Sequence, residues 1–480
     1  MPPSDTPPTH KIHLSTPPQT RYTALATLYA PNLRNITSIF DTLVLDIFPA
    51  HYLPWIKSLA RIFLRGVYDA DETAEIRGIA DAAGVDLYLV VCFNVLLDLL
   101  MGCTSGAALS SSPSPSSCGE SDGGRGEGGR RMLHFRTLDW DMPALRALLV
   151  QLEYVSPDEN GVETVIATSI TYVGFVGVLT AVRRGLSVSL NFRPNHDDGS
   201  WWKQIRYYSG HALVLLGFRR SISSVLRGVV IPPTTTTATD GGGGWLKWLS
   251  GSLTGRKDPP GHNLSLSETV ERIIATPSTA CYLILSDGVH AYVLEKDIKT
   301  TTVESSSSFI VATNNDRATK VPSSSSGDPS QTEEHTRTGT SLLIGDSVSV
   351  GDFIKDSIER RECMQAHWDR KVARAKQAAS IRLQARRDPL RRTRSSRRGG
   401  IDVAPAVSSS VSVEGSSAVS GSESAVEVTA TLDEIVAWTR KFPTTNEMTH
   451  FSTVMDPVKG IVVWIRRYSE PLEIELTDSE

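Results

Sequence analysis

Apolar residues recur at three- and four-residue spacing through the first hundred residues, and at alternating positions in much of the chain after that. The first pattern covers residues 21–102 and predicts helices, with breaks at Pro49 and Pro54 and a turn at Gly84. The β-branched, alternating segments "LLVQLEYV", "ETVIATSITYVGFVGVLTAV" and "GLSVSLNFRP" follow, and they predict antiparallel strands. Strands clustered between helical regions indicate an α+β layered fold and argue against an alternating parallel sheet.

The remaining periodic segments extend this picture to the end of the chain. Helices are predicted over residues 207–230, near "SLSETVERIIATP", over residues 350–388 and at "TLDEIVAWTRKF". Further strands are predicted at "RMLHFRTLDWD", "ACYLILSD", "HAYVLEKD", "SFIVATNND", "THFSTVMD" and "GIVVWIRRY".

Segments of biased composition interrupt the pattern. Four of them are rich in Ser, Thr, Gly, Pro or Arg and are predicted to be surface insertions, because such compositions cannot bury a core; they cover residues 106–130, 233–262, 319–345 and 389–430. Residues 1–20 are rich in Pro and Thr and are predicted to be disordered. The chain has 480 residues, of which 40% are hydrophobic, so the remainder is long enough for a sizeable core.

Composition and charge narrow the functional classes. A net charge of -4 argues against a protein whose main partner is nucleic acid. Residues 366–398 are locally basic and could contact RNA, anionic lipid or an acidic partner, although a solvated helix explains them more simply. The N-terminus lacks the pattern of a secretory signal and no apolar run reaches the roughly 18 residues that span a bilayer, so the default expectation is a cytoplasmic protein.

The five cysteines match no zinc or haem spacing, and their odd number predicts at least one free thiol. Cys103 is the candidate, because it lies in "GCTS" between an apolar segment and a Ser/Pro/Gly-rich one. This position suits a nucleophile that is released by cutting the chain in front of it. The simpler alternative is a buried core thiol.

Four short motifs remain in order once the insertions are set aside: "GCTS" (102–105), "RTLDWD" (136–141), "TNND" (313–316) and "DSIERR" (356–361). Together with "SITYVGFVGVLTAVRRGLSVSLNFR" and the terminal "THFSTVMDPVKGIVVWIR", they resemble the acid ceramidase and N-acylethanolamine-hydrolysing acid amidase family of N-terminal-nucleophile cysteine hydrolases. The resemblance extends from about residue 20 to residue 470 and is interrupted by the insertions. Several motifs in the right order are much more specific than any one of them.

The resemblance implies an αββα four-layer sandwich and a chain that cuts itself between Gly102 and Cys103. Residues 21–102 would then form a helical α-chain that stays associated with a catalytic β-chain, residues 103–480. The implied activity belongs to lipid and sphingolipid metabolism: hydrolysis of the amide bond of an N-acylated lipid, ceramide or N-acylethanolamine, through a thioester on Cys103. No metal or cofactor is implied, and contact with a membrane or lipid micelle is expected.

The same resemblance assigns roles at the cleavage site. The α-amine released at Cys103 acts as the general base for its own thiol, so no separate histidine is needed. Gly102 gives the backbone freedom at the scissile bond and leaves space for attack. Arg136 favours the thiolate, Asp139 orients the new amine, and Asn314 donates its amide to the developing oxyanion.

Three further residues complete the implied site. Arg360 matches the first arginine of the family's motif, and Arg361 is the alternative if the register differs by one residue. Tyr172 and Asn191 are weaker candidates for substrate contact. The family's Asn-Glu-Arg appears here as "NFR", so a contact made by that glutamate is in doubt. The family works in acidic lysosomes, so the resemblance implies a lysosome or vacuole, whereas the N-terminus alone leaves the cytoplasm as the default.

Two other classes of function stay open at this point. A papain-like cysteine peptidase would use Cys103 with a histidine such as His134, but the chain lacks that family's cysteine signature. A catalytically inactive homologue would act as an interaction protein through its basic helix and insertions. The two acyl-amide substrates cannot be separated on sequence.

Overall fold

The structure is a computed structural model, and it describes residues 5–96, 102–111, 129–158, 160–194, 201–231, 264–298, 300–317, 350–395 and 427–472. The predicted insertions at 233–262 and 319–345 lie outside the described residues. The strands are β1 Thr9–His13, β2 Gly102–Ser111, β3 Arg130–Asp139, β4 Leu149–Pro157, β5 Glu163–Tyr172, β6 Thr180–Arg183, β7 Leu186–Phe192, β8 Cys281–Ser286, β9 Ala291–Asp297, β10 Thr300–Ser306, β11 Phe309–Ala312, β12 Thr449–Asp456 and β13 Ile461–Arg467.

Helices flank these strands in sequence. The α-helices are α1 Pro18–Arg21, α2 Thr23–Leu28, α3 Ala30–Arg34, α4 Ile36–Ile47, α5 Leu53–Phe63, α6 Ala70–Ala83, α7 Leu87–Leu96, α8 Trp201–Leu215, α9 Ile222–Val230, α10 Leu266–Ala275, α11 Val350–Ser395 and α12 Leu432–Thr439. Short 3-10 helices cover Ala50–Tyr52 and Pro143–Leu148. The predicted turn at Gly84 ends α6 in the left-handed region, with φ 65°, where glycine is favoured.

The strands of the described residues form two sheets. The larger has eight strands in the order β1-β4-β5-β6-β7-β8-β9-β10, and the smaller has five in the order β11-β2-β3-β12-β13. All neighbours pair antiparallel except β1 and β4, which pair parallel. Helices α11 and α12 pack on the smaller sheet, and α9 packs on β6 and β7 of the larger one. The αββα prediction is therefore confirmed.

The alternation along β7 shows how one strand serves two layers. Leu186, Val188 and Leu190 belong to the hydrophobic core that contains the N-terminal helices. The intervening Ser187 and Ser189 point the other way, because successive side chains of a strand face opposite sides of a sheet. They are fully buried and meet side chains of the smaller sheet, so the space between the sheets contains a polar layer.

The prediction that residues 1–20 are disordered is wrong for residues 5–20. Residues Thr9–His13 form β1 at the edge of the larger sheet, and Ile12 and Leu14 are buried. A short edge strand needs few apolar side chains, and the surrounding prolines and threonines concealed it. Because β1 pairs with β4, the N-terminal segment is part of the larger sheet.

The first predicted insertion begins too early and ends too late. Strand β2 continues to Ser111 and β3 begins at Arg130, so only residues 112–128 of that insertion lie outside the described residues. Small residues are required in β2 by close packing: a Cβ added at Gly106 would lie 2.2 Å from the backbone oxygen of Ile310. A composition typical of a flexible segment thus also fits a tightly packed strand.

The last predicted insertion, residues 389–430, is wrong at both ends. Helix α11 extends to Ser395, which lengthens the helix predicted over residues 350–388. Near the other end, Val428 and Ala430 are buried, and the amide of Ala430 donates to the carbonyl of Leu109. Strand β10 was not predicted. No helix within the described part of the chain is long and apolar enough to cross a membrane.

Candidate functional site

Gly102 and Cys103 open β2, with the peptide bond between them intact. They pair with Asp139 and Leu138 of β3, so the motif around the thiol and the Arg136–Asp139 motif meet by strand pairing. Helix α11 covers this end of the smaller sheet. Cys103 is fully buried.

The backbone at Gly102 is not in the left-handed region, contrary to the expectation that glycine relieves strained angles there. The limited space next to Asp139 explains the glycine at position 102 better. A Cβ at this position would lie 3.3 Å from the Cβ of Asp139 and 3.4 Å from its backbone oxygen. A larger residue would therefore crowd the start of β3 at the predicted scissile bond.

Cys103 is held at two of its own atoms. The Arg136 guanidinium donates from Nη2 to Sγ over 3.2 Å. The backbone amide of Cys103 donates to Oδ1 of Asn314 over 2.7 Å. These partners come from positions 33 and 211 residues away in sequence. The fold thus positions both the thiol and the nitrogen that would become the α-amine.

Burial dominates the electrostatics of the thiol. It raises the pKa of Cys103 to about 11, while the nearby Arg136 and a backbone hydrogen bond with Asp139 act in the opposite direction. Burial also lowers the pKa of Arg136 from its usual value. In the uncut chain the thiol is therefore protonated at neutral pH, and it needs a base before it can act as a nucleophile.

A buried ion pair lies next to the thiol. Nη1 of Arg360 donates to Oδ2 of Asp139 over 3.1 Å, and both side chains are almost completely inaccessible. The Thr449 hydroxyl donates to the other carboxylate oxygen over 2.6 Å. Burial raises the pKa of Asp139 to about 6, and Arg360 and Thr449 act to lower it. This carboxyl group therefore titrates in the mildly acidic range.

Arg360 connects the separate motifs. Its guanidinium also donates to Oδ1 of Asn314 and to the Thr104 hydroxyl, each over 3.2 Å. The neighbouring Arg361 instead donates to the backbone oxygen of Asp316. The structure thus places Arg360, and not the alternative Arg361, in contact with the polar groups around Cys103.

Asn314 and Asp139 lie differently from their predicted roles in the uncut chain. Asn314 turns its amide oxygen to the Cys103 nitrogen, and its Nδ2 donates to the backbone oxygen of Phe192 over 2.7 Å. The Asp139 carboxylate is bonded to Arg360 and Thr449. Asn314 is therefore the side chain that holds the backbone nitrogen of Cys103 here. Its predicted donation to an oxyanion stays a prediction.

The two weaker candidates are also brought to the site, and both are fully buried. Asn191 Oδ1 accepts from Ser105 Oγ over 2.8 Å and from Arg136 Nη1 over 3.3 Å. The Tyr172 hydroxyl lies 2.7 Å from Nδ1 of His450. In this form Asn191 orients Arg136. Substrate contact by either residue stays a prediction.

His134 does not contact the thiol. Its ring nitrogens lie 2.9 Å from the hydroxyls of Ser187 and Ser189, and burial lowers its pKa to about 3. A base must reach the proton that it removes. With both nitrogens occupied between the sheets, His134 has a structural role and is not the base that a papain-like site would need.

Sequence reasoning missed several polar groups of the site. Ser105 and Ser357 stand inside motifs that were singled out, and Ser357 accepts from the backbone amide of Asn314 over 2.7 Å. Thr449 begins the terminal segment "THFSTVMDPVKGIVVWIR", which resembles the family as a whole, but it lies 310 residues from Asp139 and nothing in the sequence pointed to their contact. Sequence alone could thus have added to the candidate site only those polar residues that lie inside a predicted motif, such as Ser105 and Ser357.

Comparison with known proteins gives matches to one group of enzymes. A family model described as the beta subunit of N-acylethanolamine-hydrolyzing acid amidase matches residues 5–68. Acid ceramidase of Mus musculus is 30% identical over 201 residues, which is 40% of this chain and 47% of the mouse protein. Acid ceramidase of Rattus norvegicus is 28% identical over 207 residues, with the same coverage of both chains.

The chain spans about half the length of the curated relatives it matches. A solved structure of the Caenorhabditis elegans N-acylethanolamine-hydrolyzing acid amidase ortholog aligns with a TM-score of 0.36 and 17% identity, over 74% of this chain and 93% of that chain. The family model matches the N-terminal segment, which includes β1, and the curated relatives are all acid ceramidases. These matches support the resemblance of the chain to the acid ceramidase and N-acylethanolamine-hydrolyzing acid amidase family.

Proposed function

We propose that this protein is an amidohydrolase that cleaves the amide bond of an N-acylated lipid, ceramide or N-acylethanolamine, to a free fatty acid and an amine. Cys103 is the nucleophile, and it becomes active after the chain cuts itself between Gly102 and Cys103. The names of the matched relatives support the class of reaction. The chemistry rests on the geometry around Cys103.

One observation carries the proposal: separate polar side chains hold the sulfur and the backbone nitrogen of the same cysteine. A structural cysteine needs no partner for its backbone nitrogen beyond the strand ladder. A residue that supplies both nucleophile and base needs both atoms fixed, because each must reach the same substrate carbon or proton. Arg136 and Asn314 meet this requirement.

Self-cleavage begins when the Cys103 sulfur attacks the carbonyl carbon of Gly102. A sulfur–carbon bond forms, the carbon–nitrogen bond breaks, and the thiol proton passes to the leaving nitrogen. Water then hydrolyses the thioester, which leaves a carboxylate on Gly102 and a free thiol and α-amine on Cys103. No oxidant or other co-reactant is needed.

Turnover repeats the same steps on an external amide. The α-amine of Cys103 takes the thiol proton, the sulfur attacks the acyl carbon, and the amine product leaves with that proton. Water then releases the fatty acid. Arg136 stabilises the thiolate and Asn314 holds the amine. These roles overcome the high pKa that burial gives the thiol, about 11 in the uncut chain.

The uncut chain is closed around this chemistry. Cys103, Arg136, Asp139 and Asn314 are buried, with at most 2% of any of them exposed. Helix α7 precedes the proposed scissile bond in sequence, and its Asn94 bonds to the backbone of Gly174 and Val176, each over 2.7 Å. We infer that cutting releases the end of this segment and opens a path for the acyl chain.

An acidic compartment, lysosome or vacuole, suits the proposed site. The pKa of Asp139 is about 6, so this carboxyl group gains a proton as pH falls below neutral. Protonation weakens its pair with Arg360, whose guanidinium also contacts Thr104 and Asn314. Self-cleavage is therefore expected to be faster at acidic than at neutral pH.

A lipid substrate is supported by exposed apolar side chains near the N-terminus. Helix α5 presents Trp55 and Ile62 with 72% and 61% exposure, and Leu59 and Phe63 are also exposed. Side chains of this kind on one helix are typical of surfaces that contact membranes or micelles. The sequence of residues 243–253, with two tryptophans beside a lysine, fits either membrane contact or an ordinary loop packed on the core, and this segment lies outside the described residues.

Replacement of Cys103 tests the proposal directly. Cys103→Ala should leave a single chain of full mass and abolish hydrolysis of a fluorogenic N-acyl amide, as measured by intact-mass analysis and turnover after incubation at acidic pH. Cys363→Ala is the matched control, because Cys363 is a partly exposed free thiol whose sulfur lies against the Phe442 carbonyl, and its loss should leave both properties intact.

The outcomes separate three functions. Fragments that end at Gly102 and begin at Cys103, absent from Cys103→Ala, support the proposal. A single intact chain that hydrolyses amides at full rate contradicts the N-terminal-amine mechanism. A chain that neither cuts itself nor hydrolyses an acyl amide is the inactive homologue that acts through its basic helix.

A further inference from the structure

Thr449 begins β12 directly opposite Asp139 of β3. The register between these strands shifts after Thr449, so that Phe451 pairs with Leu138 and His450 is left as an extra residue. Such bulges turn a side chain towards a site next to the sheet. Here the bulge leaves Thr449 facing the Asp139 carboxylate, and Thr449 is fully buried.

The direction of the Thr449 hydroxyl hydrogen is fixed by its other partner. The backbone amide of Asn446 donates to Thr449 Oγ1 over 2.9 Å, and an amide can only donate. The hydroxyl hydrogen then has Asp139 Oδ1 at 2.6 Å as its near acceptor, since the Asn446 amide oxygen lies farther away at 3.4 Å. A donor aimed in this way stabilises the ionised carboxylate.

The backbone of Thr449 is anchored as well. Arg146 Nη1 donates to the Thr449 carbonyl over 2.6 Å and to the Tyr468 carbonyl over 2.9 Å. Its Nη2 donates to the Glu447 carbonyl over 2.6 Å. The hydroxyl is therefore presented from a rigid frame, and Thr449→Val removes the donor while the Arg146 contact to the Thr449 carbonyl can remain.

We propose that Thr449 is a positioning residue whose hydroxyl stabilises the ionised form of Asp139 and thereby sets the pH at which the chain cuts itself. This inference rests on the proposed function. It adds a residue from the C-terminal strands to a site otherwise built from the four sequence motifs.

Charged and titratable groups face Asp139 from every element packed around it: Arg360 and Asp356 from α11, Arg136 from β3, Cys103 from β2, Tyr172 from β5 and Arg146 from the 3-10 helix. Arg360 is the strongest of the influences that favour the carboxylate, and Thr449 follows it. Loss of the hydroxyl raises the pKa of Asp139, so the carboxyl group gains its proton at a higher pH.

Two substitutions separate this role from a packing role. Thr449→Val keeps the shape and removes the donor, whereas Thr449→Ser keeps the donor and removes a methyl group. The pH midpoint of self-cleavage, followed by intact mass from pH 4 to 8, should move up by about one unit in Thr449→Val. It should stay at the parent value in Thr449→Ser. A purely structural residue would lower the rate at all pH values without moving the midpoint.

A second measurement does not depend on self-cleavage. In the Cys103→Ala chain, the melting temperature is measured from pH 4 to 8 with each Thr449 substitution added. Because the folded-state pKa of Asp139 is raised, the stability linked to this group is lost as pH rises through about 6. Thr449→Val should move that interval upwards, and Thr449→Ser should not.

The results distinguish the two proposals. If Thr449→Val leaves both pH profiles unchanged, the role of Thr449 is wrong. If the parent chain does not cut itself but the melting profile of Cys103→Ala shifts with Thr449→Val, the coupling to Asp139 is supported and the proposed self-cleavage fails.

Discussion

Arg227 lies inside the contact between α6 and α9, and Arg136 lies between the two sheets beside the Cys103 thiol. Arg227 donates to both carboxylate oxygens of Glu75, over 2.5 and 2.7 Å, and Glu75 also accepts from Arg21 over 2.5 Å. Glu75 is fully buried. Two arginines from distant segments thus enclose one carboxylate.

The pKa values of the two guanidinium groups shift in opposite directions, although burial acts to lower both. Glu75 holds the pKa of Arg227 well above its usual value although burial acts to lower it. Burial lowers the pKa of Arg136, whose contacts are a thiol at 3.2 Å and an amide oxygen at 3.3 Å. Among the described residues, its buried Nε has no hydrogen-bond partner.

We interpret the difference as one between a stabilising cluster and the cluster that we propose is reactive. The Arg21–Glu75–Arg227 cluster gives each buried guanidinium a carboxylate partner and joins residues on the two sides of the predicted cut, so we expect it to keep the fragments associated. Arg136 is left with an incompletely compensated charge that a thiolate or oxyanion can complete. Fixed, under-compensated charges of this kind are common where charge develops during reaction.

Neutralising Glu75 is expected to have the largest effect on stability. Glu75→Gln keeps the shape of the side chain but leaves two buried guanidinium groups without their shared counter-charge. We expect a loss of about 3–5 kcal/mol in the free energy of unfolding, measured with urea in the uncut Cys103→Ala chain. In the mature protein the same substitution should promote separation of the fragments on size-exclusion chromatography.

Glu163 provides the matched control for that substitution. Its side chain is half exposed and pairs with His13 and Lys11, so Glu163→Gln should change the free energy of unfolding by less than about 1 kcal/mol. Equal losses for Glu75→Gln and Glu163→Gln would show that the buried cluster does not stabilise the contact.

Replacing Arg136 should have the opposite effect to replacing Glu75: a large loss of amide turnover and a small change in the free energy of unfolding. Arg136→Met removes the cation beside the thiol, so we expect amide turnover to fall by about a hundredfold or more. The free energy of unfolding should change far less than in Glu75→Gln, because an apolar side chain of similar size relieves a poorly compensated buried charge. A pH profile of thiol alkylation in the mature protein should show a higher pKa for Cys103. If Arg136→Met instead keeps amide turnover and strongly lowers the free energy of unfolding, Arg136 stabilises the fold and does not serve the reaction.

The sequence identified the reactive cluster far better than the stabilising one. Its motifs contain Cys103, Arg136, Asp139, Asn314 and Arg360, and strand pairing together with α11 brings them into contact. Reactive groups recur in recognisable short motifs because the chemistry restricts the residue type at each position. The resemblance could therefore be recognised even between insertions.

The stabilising cluster has no such signature. Arg21, Glu75 and Arg227 stand in ordinary helical segments, and any of them reads as an exposed charge on an amphipathic helix. Their contact depends on tertiary packing across 152 residues. Sequence periodicity predicts that a helix has a polar side, but it does not show that this side is buried against another one.

The layers of the fold were predictable from the sequence, but the ends of some strands and the edge strand β1 were not. Alternation identified most strands, whereas β1 and the outer half of β2 were concealed by Pro-, Thr- and Ser-rich composition. At Gly106 and its neighbours, small residues are selected by the closeness of β11 and β3. Composition alone cannot distinguish a strand that needs small residues for close packing from a flexible segment rich in the same residues.

Glu72 offers the finest test of the comparison, because it borders the stabilising cluster without a close charged partner. Its carboxylate accepts from the Ser224 hydroxyl over 2.9 Å and lies 4.0 Å from Arg227, and burial raises its pKa to about 7. The folded state therefore binds a proton that the unfolded chain has released between about pH 4.5 and 7, so stability linked to this group is lost as pH rises through 7.

Glu72→Gln mimics the protonated form at every pH and keeps an oxygen for Ser224. In the Cys103→Ala background, this substitution should leave the melting temperature at pH 5 nearly unchanged. At pH 8 it should raise the free energy of unfolding by on the order of 2 kcal/mol, so that the decline between pH 5 and 8 becomes shallower. Melting curves across this range measure the effect. If Glu72→Gln instead destabilises the protein equally at pH 5 and pH 8, then Glu72 is ionised and paired with Arg227 throughout, and it belongs to the stabilising cluster as a second carboxylate.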